Sequence, residues 1–555
     1  MIEKSTMRFV HLVAISVAAV FTILTCLLIG EQLVDLIVNV QPAFDSDEFI
    51  HATPAHDIAI LLQRGEVNAA LHLLQQQVFY PPLHALGLAL AILSFGDTTV
   101  VARLFSFVTY LFAVLTSGLA VFRFVNATSK RTVSRFSPAL VSVLFAATCP
   151  IAFLVSSLCM LEALGMLITS MILLCLVQGR LVRVKKFGLG SAVVLGILLT
   201  LLALAKHTYP ILLFPGLCLA SFVGDSRKES WFHRRDGWLL LAFFICGLLW
   251  CAWFYSVDSR AMHRFLIGHH ARGYVLGFEE NTYYLRSLYT DYFLFTLLSW
   301  IGMALAAVAC IARFSHFAVR AALLSLVLSC VAFGFIAEQG PRHLAALAPC
   351  LWFLIGVGWG SLPRKLSSVR GFLSTGHAVL SMSVCIATFY ATEPIRSEAK
   401  RFLEFKPDQD EGLKAIAGLL PSNESYLLYG DETFAFPYHL TWLTALNSGL
   451  TVPEARTLRR KIPSEFEGEA RSLRLSDSNE VRNFFKRLLK ERPAENVLVV
   501  KRKGGRKPEL YDGVVKVFCA RARSCIREET TQYLIVSLQP KDLFVGEGHD
   551  HEGGE

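Results

Sequence analysis

The chain has 555 residues, 54% of them hydrophobic and only 17% charged, with a net charge of +9 and a mean hydropathy of +0.49. Soluble domains carry about 25% charged residues, so this composition excludes an ordinary soluble enzyme and points to a chain built for lipid. The basic residues do not gather in one polar stretch, which excludes nucleic acid as a partner and makes their placement a topology signal instead.

A membrane-crossing helix needs about 20 apolar residues. Roughly eleven such runs follow one another, near 9–30, 104–124, 137–156, 158–178, 187–205, 208–224, 237–256, 291–312, 319–337, 343–361 and 372–392. The first follows "MIEKSTMR" and has no small-residue cleavage site, so it reads as an uncleaved anchor. With Lys4 and Arg8 in the cytoplasm, every second loop should be basic. The stretches "RFVNATSKRTVSR", "RLVRVKK", "DSRKESWFHRRD", "RFSHFAVR" and "PRKLSSVR" all are. An odd number of crossings then puts the C-terminal region outside.

That orientation sorts the unusual polar residues onto one face. "PAFDSDEFIHATPAHD" (42–57) follows the first span and carries Asp45, Asp47 and Glu48. Arg103 lies at the outer mouth of the second span and Glu162 near the outer start of a later one. Lys206 and His207 occupy a tight outer hairpin, and Glu338, Arg342 and His343 another outer turn. Ionisable groups at a membrane edge are costly and are functional candidates by default. Each has a plain structural alternative: a helix cap for Asp45 or Asp47, a structural ion pair for Glu162 with Lys206 or Arg342, headgroup contact for the cations. Their convergence on one face from distant parts of the chain favours a site.

Within the first outer loop, 83–95 is too short to cross and reads as an interfacial or re-entrant helix, started by Pro81 and Pro82 and ended by Gly96. The long outer loop 256–293 places Arg, His and several Tyr residues at the interface, suited to a lipid carrier or to an ordinary aromatic belt. No metal-ligand constellation stands out: His269 and His270 are adjacent, and "GHDHEGGE" is a polar terminus, with 546–555 expected as a disordered tail.

Beyond about 393 the composition turns polar. "DEGLKAIAGLLP" and "SNEVRNFFKRLLKERP" have helical spacing, and "SYLLYG", "NVLVVKR", "VVKVFC" and "YLIVSL" read as strands. The organisation expected is a helical polytopic membrane domain over 1–393, with its first outer loop at 31–103, and an α/β domain outside the membrane over 394–545. Cys519 and Cys525 are the two cysteines outside the apolar part; a disulfide and two free thiols both remain open for them.

The Asp-Glu pair after the first span, then "YPPLH" and "FGDTTVVARL", resembles polyprenyl-phosphate-sugar-dependent glycosyltransferases of the GT-C class. The pattern is similar to that of protein O-mannosyltransferases and bacterial aminoarabinose (lipid A) transferases. "SSLCMLEALGM" resembles their second acidic site, "LALAKHTYPILLFP" their Lys-bearing turn, and "GPRHLAALAPCLWFLIGVG" the Arg-Tyr-x-x-x-x-x-P segment before a late span. The ordered set covers roughly the first 360 residues, flagged by its last motif. His343 stands where many members have tyrosine, and the lysine that aminoarabinose transferases carry before the PPL segment is missing.

The resemblance implies a GT-C fold of about eleven membrane helices with interfacial helices, and transfer of a hexose or pentose from an undecaprenyl or dolichyl phosphate to an acceptor hydroxyl. A hydroxyl is a weak nucleophile, so a carboxylate must take its proton; Asp47 is the candidate base, with Glu48 adjacent and Asp45 a substitute. The leaving phosphate gathers charge that cations stabilise best in a site of low dielectric. Arg342, Lys206 and Arg103 are the candidates, with His343 and His207 beside two of them, and Glu162 would position acceptor or cations. No cofactor is implied for phosphate-monoester carriers, although "DSD" resembles the Asp-x-Asp of cation-dependent diphosphate members. Partners implied are the lipid-linked donor, the bilayer and an acceptor that is protein, lipid or glycan. Compact basic loops and a short N-terminus favour a bacterial plasma membrane, with the endoplasmic reticulum the alternative. A lipid or sugar transporter or flippase is the rival reading; such proteins place their sites near the bilayer midplane between repeats.

Overall fold

A computed structural model describes residues 2–39, 46–77, 80–128, 136–178, 189–223, 234–257, 282–334, 341–362 and 367–390, together with 426–430, 445, 448–460, 478–491, 493–494, 496–502, 526–529 and 533–539 of the polar C-terminal part. These residues fall into two compact units. The first comprises Met1–Gln41, Asn68–Gly96 and Val100–Lys400, and the second Pro42–Val67, Asp97–Thr99 and Arg401–Glu555. The first outer loop is thus divided between them.

The first unit is helical. Ile2–Asn39, Thr99–Thr128, Leu161–Gln178, Arg234–Ser256, Thr296–Arg313 and Phe317–Gly334 are its long apolar helices, and Pro341–Leu347, a 3₁₀ turn, leads into the helix Ala348–Ser361. Among the described residues, seven segments are long and apolar enough to cross a membrane, and eight when one bent pair counts as a single span. Shorter apolar helices at Leu189–Ala205, Thr208–Phe222 and Thr375–Tyr390 occupy further expected runs. Large apolar side chains such as Leu27, Phe112, Leu248 and Ile311 face outward; a water-exposed surface of that kind would aggregate, whereas lipid accepts it. The protein is a multi-pass membrane protein.

Ala348–Ser361 is the centre of this unit, buried along nearly its whole length. It packs against Phe136–Ala147 and Thr296–Arg313. Glycine makes the second contact feasible: a Cβ on Gly358 would stand 1.8 Å from the carbonyl oxygen of Leu305. With lipid outside, close packing and buried hydrogen bonds must hold helices together. Tyr110 accordingly donates to the carbonyl of Ala146 at 2.8 Å, and Ser117 and Ser170 join at 2.9 Å.

The run 137–156 reads in the sequence as one straight span, and here the structure differs. Phe136–Ala147 and Pro150–Ser156 meet at 62°. Pro150 has no N–H to continue the helical ladder, and its ring pushes Cys149 into an extended conformation (φ −82°, ψ 107°). The short helix expected over 83–95 is present as Pro82–Phe95 and stops at Gly96, whose φ of +91° suits glycine.

In the second unit the helix Ser46–Gln63 accompanies a five-stranded mixed sheet. Numbering Tyr426–Gly430 as β1, Arg459–Arg460 as β2, Asn496–Arg502 as β3, Ile526–Glu529 as β4 and Tyr533–Leu538 as β5, the order is β2-β1-β3-β5-β4. β1 runs parallel to β2 and β3, and β5 antiparallel to β3 and β4. The amphipathic helix Ser478–Glu491 supplies the parallel crossover between β2 and β3 and buries Phe484, Phe485 and Leu488. Thus "SYLLYG", "NVLVVKR" and "YLIVSL" contain strands and "SNEVRNFFKRLLKERP" a helix. "DEGLKAIAGLLP", "VVKVFC", Cys519, Cys525, His269, His270 and the tail 546–555 lie outside the described residues.

Candidate functional site

In the first unit, the helix Leu161–Gln178 begins at a turn that Ser106 ties down from the neighbouring helix. The Met160 N–H donates to the Ser106 hydroxyl at 3.3 Å. This places Glu162 in the first helical turn, where the helix dipole favours a carboxylate. Its side chain is only 4% exposed. Lys206 comes from the break between Leu189–Ala205 and Thr208–Phe222, and its Nζ donates to Glu162 Oε1 at 3.4 Å. The ammonium also stands over the Tyr209 ring, 5.4 Å from its centroid, a cation–π arrangement.

Arg342 and His343 lie in the 3₁₀ turn Pro341–Leu347, and their charges act on the Glu162 carboxylate together with that of Lys206. His84, buried on Pro82–Phe95 with its ring edge-on to Phe105, also senses Glu162. Gly165 permits the convergence. A Cβ there would come within 2.6 Å of the Tyr209 ring and 2.9 Å of the Ala346 methyl, so only glycine lets these three elements meet.

Among the described residues, the charges of Lys206 and Arg342 both act on this one carboxylate. Glu162 Oε2 and the Tyr209 hydroxyl are both buried without a hydrogen-bond partner among the described residues. The two groups influence each other electrostatically. A buried carboxylate oxygen without a donor is costly in a purely structural pair.

The expected site residues therefore separate. Glu162, Lys206, Arg342 and His343 come together. Arg103 is buried in the first turn of Thr99–Thr128, next to the Ser106 tie. His207 turns towards aromatic neighbours: Trp250 Nε1 donates to its Nδ1 at 3.3 Å, and its ring lies 5.4 Å from that of Trp253. Glu48 is buried in the second unit. Asp47 falls in the first turn of Ser46–Gln63, but its side chain, like the whole of Asp45, lies outside the described residues, as does Glu338. Tyr209 and His84 were not singled out from sequence. Both stand inside quoted motifs, "AKHTYP" and "YPPLH", and nothing in those motifs distinguishes a site tyrosine or histidine from a packed one. Among the described residues no group of His, Cys, Asp and Glu could hold a metal ion.

This arrangement of helices is a fold shared with a solved membrane protein. Among solved structures, the chain is similar to ArnT from Cupriavidus metallidurans in the apo state, at a TM-score of 0.60 and 14% identity over 94% of this chain and 98% of that one. The undecaprenyl phosphate-bound form of that ArnT gives 0.59 and 14%, over 95% and 97%. The apo oligosaccharyltransferase of Archaeoglobus fulgidus matches at 0.48 and 11%, over 87% of this chain and 69% of that one. No family model and no curated protein matches the sequence.

Proposed function

We propose that the chain is a membrane glycosyltransferase that moves a sugar from a polyprenyl phosphate to an acceptor hydroxyl on the extracytoplasmic face. The observation that carries this reading is the buried Glu162–Lys206 pair, joined by Arg342 and His343, in a chain with the fold of ArnT. In transfer, the acceptor oxygen bonds to the anomeric carbon while the bond from that carbon to the phosphate oxygen breaks. The electron pair leaves with the polyprenyl phosphate, whose extra charge Lys206 and Arg342 stabilise. Glu162 holds the Lys206 ammonium in place.

The acceptor proton goes to a carboxylate of 45–48, Asp47 by its place in the motif order, with Asp45 and Glu48 as neighbours. No divalent cation is required in this reading. Arg103 supports the donor region, the sugar is a hexose or pentose, and the acceptor is a protein, lipid or glycan. The chain crosses a bacterial inner membrane about eleven times, with its N-terminus inside and the polar C-terminal domain outside.

Purified protein in nanodiscs, given a radiolabelled polyprenyl-phosphate sugar and an acceptor extract, tests this directly. Transfer that survives EDTA and is abolished by Asp47→Asn supports it. Carrier-independent sugar uptake into proteoliposomes, without transfer, would mean a transporter. Wild-type turnover in Asp47→Asn would place the base elsewhere.

A further inference from the structure

The second unit contains a polar cluster that the proposed chemistry does not use. Ser46–Gln63 carries Asp47 and Glu48 in its first turn and His56 and Asp57 in its far half, with Arg64 just beyond its end. Gly65, at φ +76°, ends it, and the Glu66 N–H closes back to the carbonyl of Leu61 at 2.8 Å. All three polar residues engage one short stretch of the C-terminal part. His56 Nε2–H donates to the Leu450 carbonyl at 2.8 Å, across 394 positions of sequence. Asp57 Oδ1 accepts from the Val452 N–H at 2.6 Å. Arg64 donates to both carboxylate oxygens of Glu454, at 2.9 and 3.2 Å, and to the Gly449 carbonyl at 2.9 Å.

The receiving stretch is itself pre-shaped. Gly449 turns the chain at φ +60°. Thr451 and Glu454 then form a reciprocal capping box at the start of Val452–Leu458, the Thr451 N–H donating to Glu454 and the Glu454 N–H to the Thr451 hydroxyl. On the other side His56 Nδ1 meets the carboxylate of Asp97. A backbone carbonyl can only accept, and so can an ionised carboxylate. His56 therefore satisfies both neighbours only as an imidazolium.

We propose that 449–454 and Asp97 clasp the helix Ser46–Gln63, and that His56, Asp57 and Arg64 are positioning residues fixing where its N-terminal carboxylates stand. This rests on the proposed transferase reading and gives the C-terminal domain a role in it: the domain holds the base-bearing helix in register. A helix carrying a general base has to be held within a fraction of an ångström to act. The bonds here tie it by its far end, leaving the acidic end for chemistry.

The test uses full-length protein in nanodiscs and two pairs of variants. Arg64→Glu and Asp57→Ala break contacts, whereas Arg64→Lys keeps the charge and Asp57→Asn keeps an acceptor for Val452. The breaking variants are expected to speed amide hydrogen exchange over 46–63 at least fivefold and to lower kcat at least tenfold, with donor KM within twofold. The conservative variants should remain within threefold of wild type in both measures. Unchanged exchange in both breaking variants would overturn the clasp, and faster exchange with undiminished kcat would overturn its positioning role. If wild-type protein transferred no sugar, the functional reading would fail and the positioning role with it, while exchange would still decide the clasp.

Discussion

The two polar clusters are built from similar side chains and differ in what those side chains reach. In the clasp His56, Asp57 and Arg64 each bond to a defined partner, His56 to Asp97 and Leu450, Asp57 to Val452, Arg64 to Glu454 and Gly449, although Asp97 Oδ1 is buried without a hydrogen-bond partner among the described residues. In the membrane unit, Glu162 has one oxygen without a donor among the described residues, Lys206 holds the other at a long 3.4 Å, and two cations act on this one carboxylate. Bonds to backbone groups fix geometry, whereas side chains short of partners have affinity to give to a ligand.

Removing the guanidinium that acts on Glu162 should produce the largest effect. Arg342→Ala is expected to raise donor KM by about 10- to 100-fold, the range for losing a charge-assisted hydrogen bond, with acceptor KM within twofold. Steady-state kinetics with each substrate varied in turn would check this. A change in acceptor KM alone would remove Arg342 from the donor phosphate.

The pair itself offers a sharper comparison. Lys206→Met leaves the Glu162 carboxylate buried beside fewer cations and should cost about 2 kcal/mol, below the ~3–5 of a fully buried pair because the ammonium retains some water. Adding Glu162→Gln should recover most of the lost thermal stability in detergent but none of the transfer rate. Recovery of both would reduce the pair to a structural role. Gly165→Ala should act more mildly, about 1–2 kcal/mol of overpacking. The new methyl would press on Tyr209 and Ala346, shifting the turn that carries Arg342, so donor KM should rise several-fold while exchange over 46–63 stays unchanged.

How much of this was readable in the sequence depends on the range of the interactions. Apolar length and proline or glycine punctuation are local, so helices were found where runs were expected, Pro82–Phe95 with its Gly96 stop included. The bend at Cys149 was missed although Pro150 announces it, because continuous hydropathy masked a break in backbone geometry. Glu162, Lys206 and Arg342, singled out by motif order as charges where lipid makes charge expensive, lie together in the structure. His207 has the same sequence credentials as Lys206, yet it packs against Trp250 and Trp253. Adjacent residues at a helix break point in different directions, and spacing does not say which inherits the site. The clasp was unreadable for another reason. Its key bonds join backbone groups about 394 positions away, and a backbone acceptor leaves no mark on the residue type at 450 or 452.

The smallest expected effect is the pH response of the clasp. Burial, opposed by the Val452 N–H and the nearby His56, pushes Asp57 up from 3.8 to about 6. Its protonated form is therefore the favoured one, and that contribution is complete below about pH 4 and fades as pH rises through 6. Burial opposes charge on His56, but the hydrogen bond and charge of Asp97, with help from Leu450 and Asp57, outweigh it and raise its pKa above 6.5. That contribution is complete below the ordinary histidine value and is lost as pH climbs past the raised one. Both groups thus tighten the clasp in acid. Among the other charged neighbours, Arg64 holds the Glu454 carboxyl below its usual range, and neither reverses the sign. Ionised Asp57 still accepts from Val452, which limits the loss to several-fold in opening rate. Exchange over 46–63, corrected for the intrinsic pH dependence of amide exchange, should quicken from pH 4 to 6 and again above 6.5. His56→Gln should erase the upper step and leave the lower one. If exchange slowed as pH rose, the imidazolium would not be the clasping form, and the contrast between the two clusters would lose its first member.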